Sequence, residues 1–252
     1  MVYLIARFFW RIICIIELIV FNQLLYILTL LPAFLVRRMQ PFYFTMLRLW
    51  SKLFVHALGV NLHLHEKNLK PLPDHYILIA NHPSAFEDVG IPSLFPVLSL
   101  AKASVRNWWF AGRITWAAGN LFVKRDSRES RKRAYQELID TINSGKNVVV
   151  YPEGGCKGRR IFETFRYGPF DISLKTGVPI LPVFLHYEMQ DVFEWRPPQT
   201  LLHKLWHFLW AQNKRANYYV YDAIDPSQFK DKVEYMEYTH NLYLKWQARY
   251  LD

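Results

Sequence analysis

The sequence predicts an α/β domain, a sheet flanked by helices, behind an N-terminal hydrophobic helical segment that anchors it to a membrane. Three observations carry this reading. Residues 12–36 read IICIIELIVFNQLLYILTLLPAFLV, with Glu17 as the only formal charge, and about twenty apolar residues suffice to span a bilayer. Beyond Leu58, short apolar runs of strand length alternate with polar, helix-like stretches. Several of those runs are continuously apolar, as inner strands covered on both faces must be.

In chain order, the opening segment reads as retained, because no A-x-A-like cleavage site follows it and it is long for a signal core. Pro32 and the second apolar-aromatic stretch, residues 39–58, leave open one tilted span or two helices lying in a single leaflet. Arg37, Arg38, Arg48 and Lys52 follow the run, against Arg7 and Arg11 before it. The positive-inside bias therefore puts the body on the cytoplasmic side of the cell's inner membrane. Residues 1–58 are expected as membrane-associated helices and residues 59–252 as one α/β domain.

Within that domain, VNLHLH (60–65) alternates, so His63 and His65 are expected to face solvent together. YILIA (76–80), VVVY (148–151) and PILPVFLHY (179–187) are the inner-strand candidates. Residues 130–142 form an amphipathic helix, with Ala134, Leu138, Ile139 and Ile142 opposite Arg131, Lys132 and Arg133, and Gly145 ends it. LLHKLWHFLW (201–210) fits either a core helix or one whose apolar-aromatic surface dips into a membrane. Its His203 and His207 lack the glutamate and third ligand of a zinc helix, and no metal is expected.

Thirty-one Lys and Arg against 21 Asp and Glu give a formal charge of +10, which implies acidic partners. The basic run from Lys124 to Arg133 follows no nucleic-acid module, and lipid headgroups together with substrate phosphates account for it alongside the anchor. Nine Trp, 15 Tyr and 18 Phe suit a headgroup layer. Cys14 and Cys156 make neither a disulfide ladder nor paired metal spacing. Cys156 is expected as a packed or incidental thiol, since its activation as a nucleophile would require His82 to reach it.

Two polar clusters leave the ends of buried strands: Asn81-His82-Pro83-Ser84-Ala85-Phe86-Glu87-Asp88 after YILIA, and Tyr151-Pro152-Glu153-Gly154-Gly155 after VVV. Ligands of open α/β sheets bind beyond the carboxyl ends of strands, so the clusters should face one another. Pro83 breaks the chain after His82 and leaves a carboxylate in the first helical turn, where it can fix the imidazole in one tautomer as a general base. Ser84-Ala85-Phe86-Glu87 is also a capping-box pattern, in which Glu87 would bond the Ser84 amide and Asp88 would orient the imidazole. Spacing leaves both open. Pro152 and Gly154 fix Glu153 at the end of its strand.

Here the sequence resembles the 1-acylglycerol-3-phosphate O-acyltransferases and their lysophospholipid acyltransferase relatives, in four ordered blocks between about Val60 and Tyr187. The family's N-H-x-x-x-x-D is similar to Asn81-His82 with Glu87 at the acid position. Its G-x-x-F-[IV]-x-R matches Gly119 to Arg125, its F-P-E-G-T resembles Tyr151 to Gly155, and its V-P-I-x-P-V matches Val178 to Val183. Two departures stand out: Glu87 replaces Asp, with Asp88 beside it as the alternate. Gly155-Cys156 replace the Thr-Arg of many relatives, so the positive charge arrives at Lys157, then Arg159 and Arg160.

The resemblance implies a mixed sheet of the glycerolipid acyltransferase type and an O-acyl transfer. His82 would take the proton of a lysophospholipid hydroxyl, foremost 1-acyl-sn-glycerol 3-phosphate to give phosphatidic acid. That oxygen would attack the thioester carbonyl of acyl-CoA or an acyl carrier protein. The alternatives are a lyso-amino-acid lipid or a remodelling lysophospholipid as acceptor, or a catalytically silent lipid-binding protein on the same fold. Arg125, with Lys157 or Arg159, would bind the lysolipid phosphate, and Glu153 the glycerol portion. Gly154 and Gly155 would present amides to the developing oxyanion. No metal or organic cofactor is implied, and the other partners are membrane lipids.

Overall fold

The computed structural model describes residues 2–124, 127–194 and 200–252. Helix α1 (Val2–Leu28) contains Phe8–Leu28, a stretch long and apolar enough to cross a membrane and mostly exposed. The chain turns at Thr29, whose hydroxyl donates to the Tyr26 carbonyl, and Pro32 caps the short α2 (Ala33–Arg38). Helix α3 (Gln40–Leu58) then returns along α1. Tyr43 donates to the Leu28 carbonyl at one end of the hairpin and Arg11 to the His56 carbonyl at the other.

Seven strands form one sheet among the described residues: β1 (Asn61–Glu66), β2 (Ile77–Ala80), β3 (Leu98–Lys102), β4 (Leu121–Val123), β5 (Val148–Val150), β6 (Ile180–Tyr187) and β7 (Arg215–Val220). Their order is β1-β7-β6-β2-β5-β3-β4, parallel throughout except for the antiparallel β6–β7 pair. The sheet is therefore mixed and α/β, as expected. Strand side chains point to alternate faces, and each face has its own core. Leu78 and Ala80 join Leu181, Val183, Tyr187 and Tyr218 on one side; Ile77 and Ile79 join Ile180 and Phe184 on the other.

The first face is covered by Val55 and Leu58 of α3, by α4 (Glu87–Leu94) and α8 (Gln190–Phe193), and by Phe208 of α9 (Leu201–Trp210). The second is covered by α6 (Arg128–Asn143), α7 (Gly168–Thr176) and α10 (Lys232–Tyr250). Helix α5 (Trp109–Ala117) binds the hairpin to the body: Ile114 and Ala117 pack with Leu25, Val36 and Tyr43, and Arg113 donates to the Thr29 carbonyl at 2.9 Å. The start of α1 also touches the body, where the Phe8 ring lies 6.3 Å from that of Trp210. The hairpin thus lies along the domain with its apolar surface outward.

Three local expectations change. Much of the aromatic content is core, with Tyr43, Tyr187, Tyr218, Tyr235 and Tyr243 fully buried; burying such a side chain contributes roughly 1.5–3 kcal/mol once its hydroxyl is satisfied. Tyr243 meets that condition by donating toward the carbonyls of Ile79 and Val183. His65 is half-buried, 2.9 Å from Asn217 Oδ1 and stacked on Tyr219, because β1 pairs with β7. Helix α9 has a core side and an exposed side: Phe208 is core, whereas Trp206 and Trp210 are exposed.

Candidate functional site

Strands β2 and β5 are parallel neighbours, with Ile77 opposite Val148 and Ile79 opposite Val150. Their carboxyl ends consequently deliver the two polar clusters to the same edge, as the sequence led us to expect. Asn81 locks the first cluster to β6: its side chain donates to the Leu185 carbonyl at 3.0 Å and accepts the Leu185 amide at 2.7 Å. The second cluster is laced to the first through backbone. The His82 amide donates to Glu153 Oε2 at 2.8 Å, and the Lys157 amide donates to the His82 carbonyl at 3.1 Å.

His82 is 4% exposed. Its Nδ1 lies 3.6 Å from Oε1 of the fully buried Glu87, and its ring stacks on Tyr151 at 4.1 Å between centroids. Its Nε2 is 3.5 Å from Cys156 Sγ, while the thiol donates to the Ser84 carbonyl at 3.1 Å. Cys156 is exposed rather than packed. His82 does reach it.

Glu87 fills both roles that spacing left open, since the oxygen facing His82 also accepts the Ser84 amide at 2.6 Å. Glu87 Oε2 has no hydrogen-bond partner among the described residues. Asp88, one residue on, is exposed and acts on His82 and Tyr151 through its charge. Burial works against a charged His82, but the bonds to Cys156 and Glu87 and the charges of Glu87 and Asp88 outweigh it and hold the imidazole well above its usual range. Burial likewise raises the Glu87 carboxyl, against the pull of His82 and the Ser84 amide.

Glu153 is 2% exposed, and both its oxygens accept backbone amides, Oε2 from His82 and Oε1 from Phe162 at 3.1 Å. Burial raises its carboxyl and the two amides lower it. Gly154 adopts φ +76°, and its amide donates to the Tyr151 carbonyl at 3.0 Å. The positive φ favours glycine here, and a Cβ on Gly154 would fall 2.1 Å from Arg166 Nε, so any larger residue would also push the arginine side chain aside. Gly155 follows, half-buried.

The basic residues of this loop have neighbours of their own. Lys157 Nζ lies 4.1 Å from the Phe162 ring centroid, Arg160 pairs with Asp252, and Arg159 acts on His186. Arg125 lies outside the described residues. Sequence reasoning missed three contributors. Asn81 and Tyr151 stand inside the quoted blocks, next to His82 and Pro152, where strand ends signal a role; Arg166 carries no motif. Among the described residues no group of three His, Cys, Asp or Glu side chains gathers as a metal cage.

Comparison with known proteins gives a family and a fold. The family model for Acyltransferase matches residues 61–186. The lyso-ornithine lipid O-acyltransferase of Pseudomonas aeruginosa is 31% identical over 160 residues, 62% of this chain and 61% of that protein. The 1-acyl-sn-glycerol-3-phosphate acyltransferase of Neisseria gonorrhoeae is 26% identical over 121 residues, covering 47% and 48% respectively, and that of Borreliella burgdorferi 28% over 145, covering 57% and 58%. The matched stretch thus spans between about half and three-fifths of these curated relatives. The crystal structure of the 1-acyl-sn-glycerophosphate (LPA) acyltransferase PlsC from Thermotoga maritima shares the fold, with a TM-score of 0.67 at 17% identity over 98% of this chain and 95% of that one.

Proposed function

The chain belongs to the Acyltransferase family, and from that premise we propose that it moves a fatty acyl group from an acyl thioester to the free hydroxyl of a lysophospholipid. The acceptor foremost in this reading is 1-acyl-sn-glycerol 3-phosphate, which would give phosphatidic acid. The observation that carries it is the buried pair in which Glu87 Oε1 stands 3.6 Å from His82 Nδ1 while Nε2 turns toward exposed Cys156. That arrangement supports a base with one nitrogen fixed and the other presented to a substrate.

In this reading neutral His82 takes the acceptor hydroxyl proton at Nε2. The oxygen attacks the thioester carbonyl, and the collapsing intermediate expels the thiol, which recovers the proton. Glu87 holds the ring and stabilises the imidazolium formed, with Asp88 adding charge from the helix. Gly155 is the amide we assign to the developing oxyanion, since the Gly154 amide already serves Tyr151. Glu153 supports the site from beneath by fixing the His82 backbone. Arg125, Lys157 and Arg159 supply positive charge for the acceptor phosphate. The acyl-CoA or acyl carrier protein is a substrate, and the chemistry needs no metal or organic cofactor.

We read residues 1–58 as the membrane-associated part and 59–252 as the transferase domain, on the cytoplasmic side of the membrane. Contacts of the domain with both ends of α1 support helices lying in one leaflet. A second acceptor class, a lyso-amino-acid lipid, is favoured by Cys156 standing where many relatives carry arginine and by the similarity to the lyso-ornithine lipid enzyme.

Purified full-length protein given radiolabelled acyl-CoA or acyl carrier protein with a panel of lysolipids tests the reading. Labelled phosphatidic acid is expected. A labelled lyso-amino-acid lipid product alone would select the second class, and no product from any acceptor with either donor would refute transfer.

A further inference from the structure

A cleft of about 300 Å³ opens between α6 and α7 over the ends of β3, β4 and β5. Its floor is apolar, with Leu100, Val123, Leu138, Val150 and Ile172 among the lining residues. Among the described residues its charged lining consists of two arginines, Arg131 from α6 and Arg166 from the segment before α7. Small-molecule sites commonly have this make-up, an apolar wall with a few placed polar groups, and about 300 Å³ lies at the lower end of their range.

The cleft is joined to the candidate site by two residues. Tyr151 lines it and stacks on His82 at 4.1 Å. Gly154 lines it too, and the Arg166 side chain crosses that glycine so closely that a Cβ would meet Nε at 2.1 Å. Among the described residues no carboxylate forms an ion pair with Arg166, whose backbone amide is tied to the Pro152 carbonyl at 2.8 Å. By contrast, Lys157 rests on Phe162 and Arg160 on Asp252. The guanidinium laid against Gly154 is that of Arg166.

We propose that Arg166, with Arg131 across the cleft, binds the phosphate of an amphiphilic substrate whose apolar part lies along the cleft floor. A planar guanidinium matches phosphate oxygens two at a time, and a pair of them over an apolar floor selects a ligand that is anionic at one end and greasy at the other. The inference rests on the acyl-transfer reading for its substrates. Two of those substrates carry phosphate, the lysolipid acceptor and coenzyme A, and both are covered by the same chemistry.

The test uses the full-length protein in detergent and the variants Arg166→Gln, Arg166→Lys and Arg131→Gln/Arg166→Gln. Equilibrium binding of 1-acyl-glycerol 3-phosphate and of coenzyme A is titrated separately, and KM and kcat are measured for each substrate at saturation of the other. Arg166→Gln is expected to weaken one of the two phosphate ligands about tenfold or more, with kcat changed less than threefold. The lysine variant should recover part of the loss and the double variant should lose more. A change confined to the lysolipid identifies the acceptor as the source, and one confined to coenzyme A identifies the donor. Unchanged binding of both ligands in a folded double variant overturns the proposal, even when the parent makes product. A parent that makes no product refutes the transfer reading and leaves the binding titration to decide this one.

Discussion

Oε1 of Glu87 stands 3.6 Å from Nδ1 of His82 while the same oxygen accepts the Ser84 amide at 2.6 Å. One buried carboxylate oxygen therefore both closes the turn after His82 and aims its ring. The capping pattern and the orienting acid are one device.

Replacing Glu87 by Gln should keep the fold, since an amide oxygen can still accept from Ser84, yet remove the charge that supports the imidazolium. Acyl transfer is expected to fall about 10²-fold or more, with the melting temperature within a few degrees of the parent. Asp88→Asn, changing an exposed neighbour, should cost less than about tenfold. Equal losses in the two variants would count against Glu87 as the orienting residue.

The pH profile follows from His82. Its base form is the neutral imidazole, and its surroundings hold the pKa well above 6.5, so the rate should climb with rising pH through a midpoint above 6.5. Removing the Glu87 charge takes away an influence that favours the imidazolium, so Glu87→Gln should move the midpoint down. The same raised value stabilises the fold fully below pH about 6.5, and that contribution is lost as pH rises through the folded-state value. A rate profile that falls across this window would contradict the assignment.

Glu153→Gln leaves one oxygen for two amides, that of buried His82 and that of half-buried Phe162. An orphaned buried donor costs about 1–3 kcal/mol, so denaturant unfolding should shift by that much and the His82 loop should loosen. Activity should fall with it, chiefly in kcat. Asn81→Ala, which frees the Leu185 amide and carbonyl, should behave alike, whereas unaltered stability in both would remove the clamp from the account.

Cys156 Sγ lies 3.5 Å from His82 Nε2 on the exposed side, where the proposed mechanism brings the acceptor hydroxyl. A bulky thiol reagent should therefore inactivate the enzyme, and Cys156→Ala should retain activity within about threefold while becoming resistant to the reagent. Loss of activity in a folded Cys156→Ala protein would instead make the thiol a participant.

The strands that frame the site were legible because their runs are continuously apolar, and the facing of the two clusters followed from strand ends alone. The choice between Glu87 and Asp88 was not, since spacing cannot tell which acid of a first helical turn points inward; burial of Glu87 decides it. Arg166 was invisible for a different reason. Its approach to Gly154 depends on a loop returning to Pro152, a long-range contact that no local pattern encodes. The aromatic surplus misled because Tyr218 and Tyr243 serve the core as readily as Trp206 and Trp210 serve a surface.

The most direct measurement is the rate of acyl transfer by a folded His82→Ala protein, with acyl thioester and 1-acyl-sn-glycerol 3-phosphate both saturating. A fall of about 10²-fold or more is expected, with acceptor binding preserved. Transfer at the parental rate would contradict His82 as the general base.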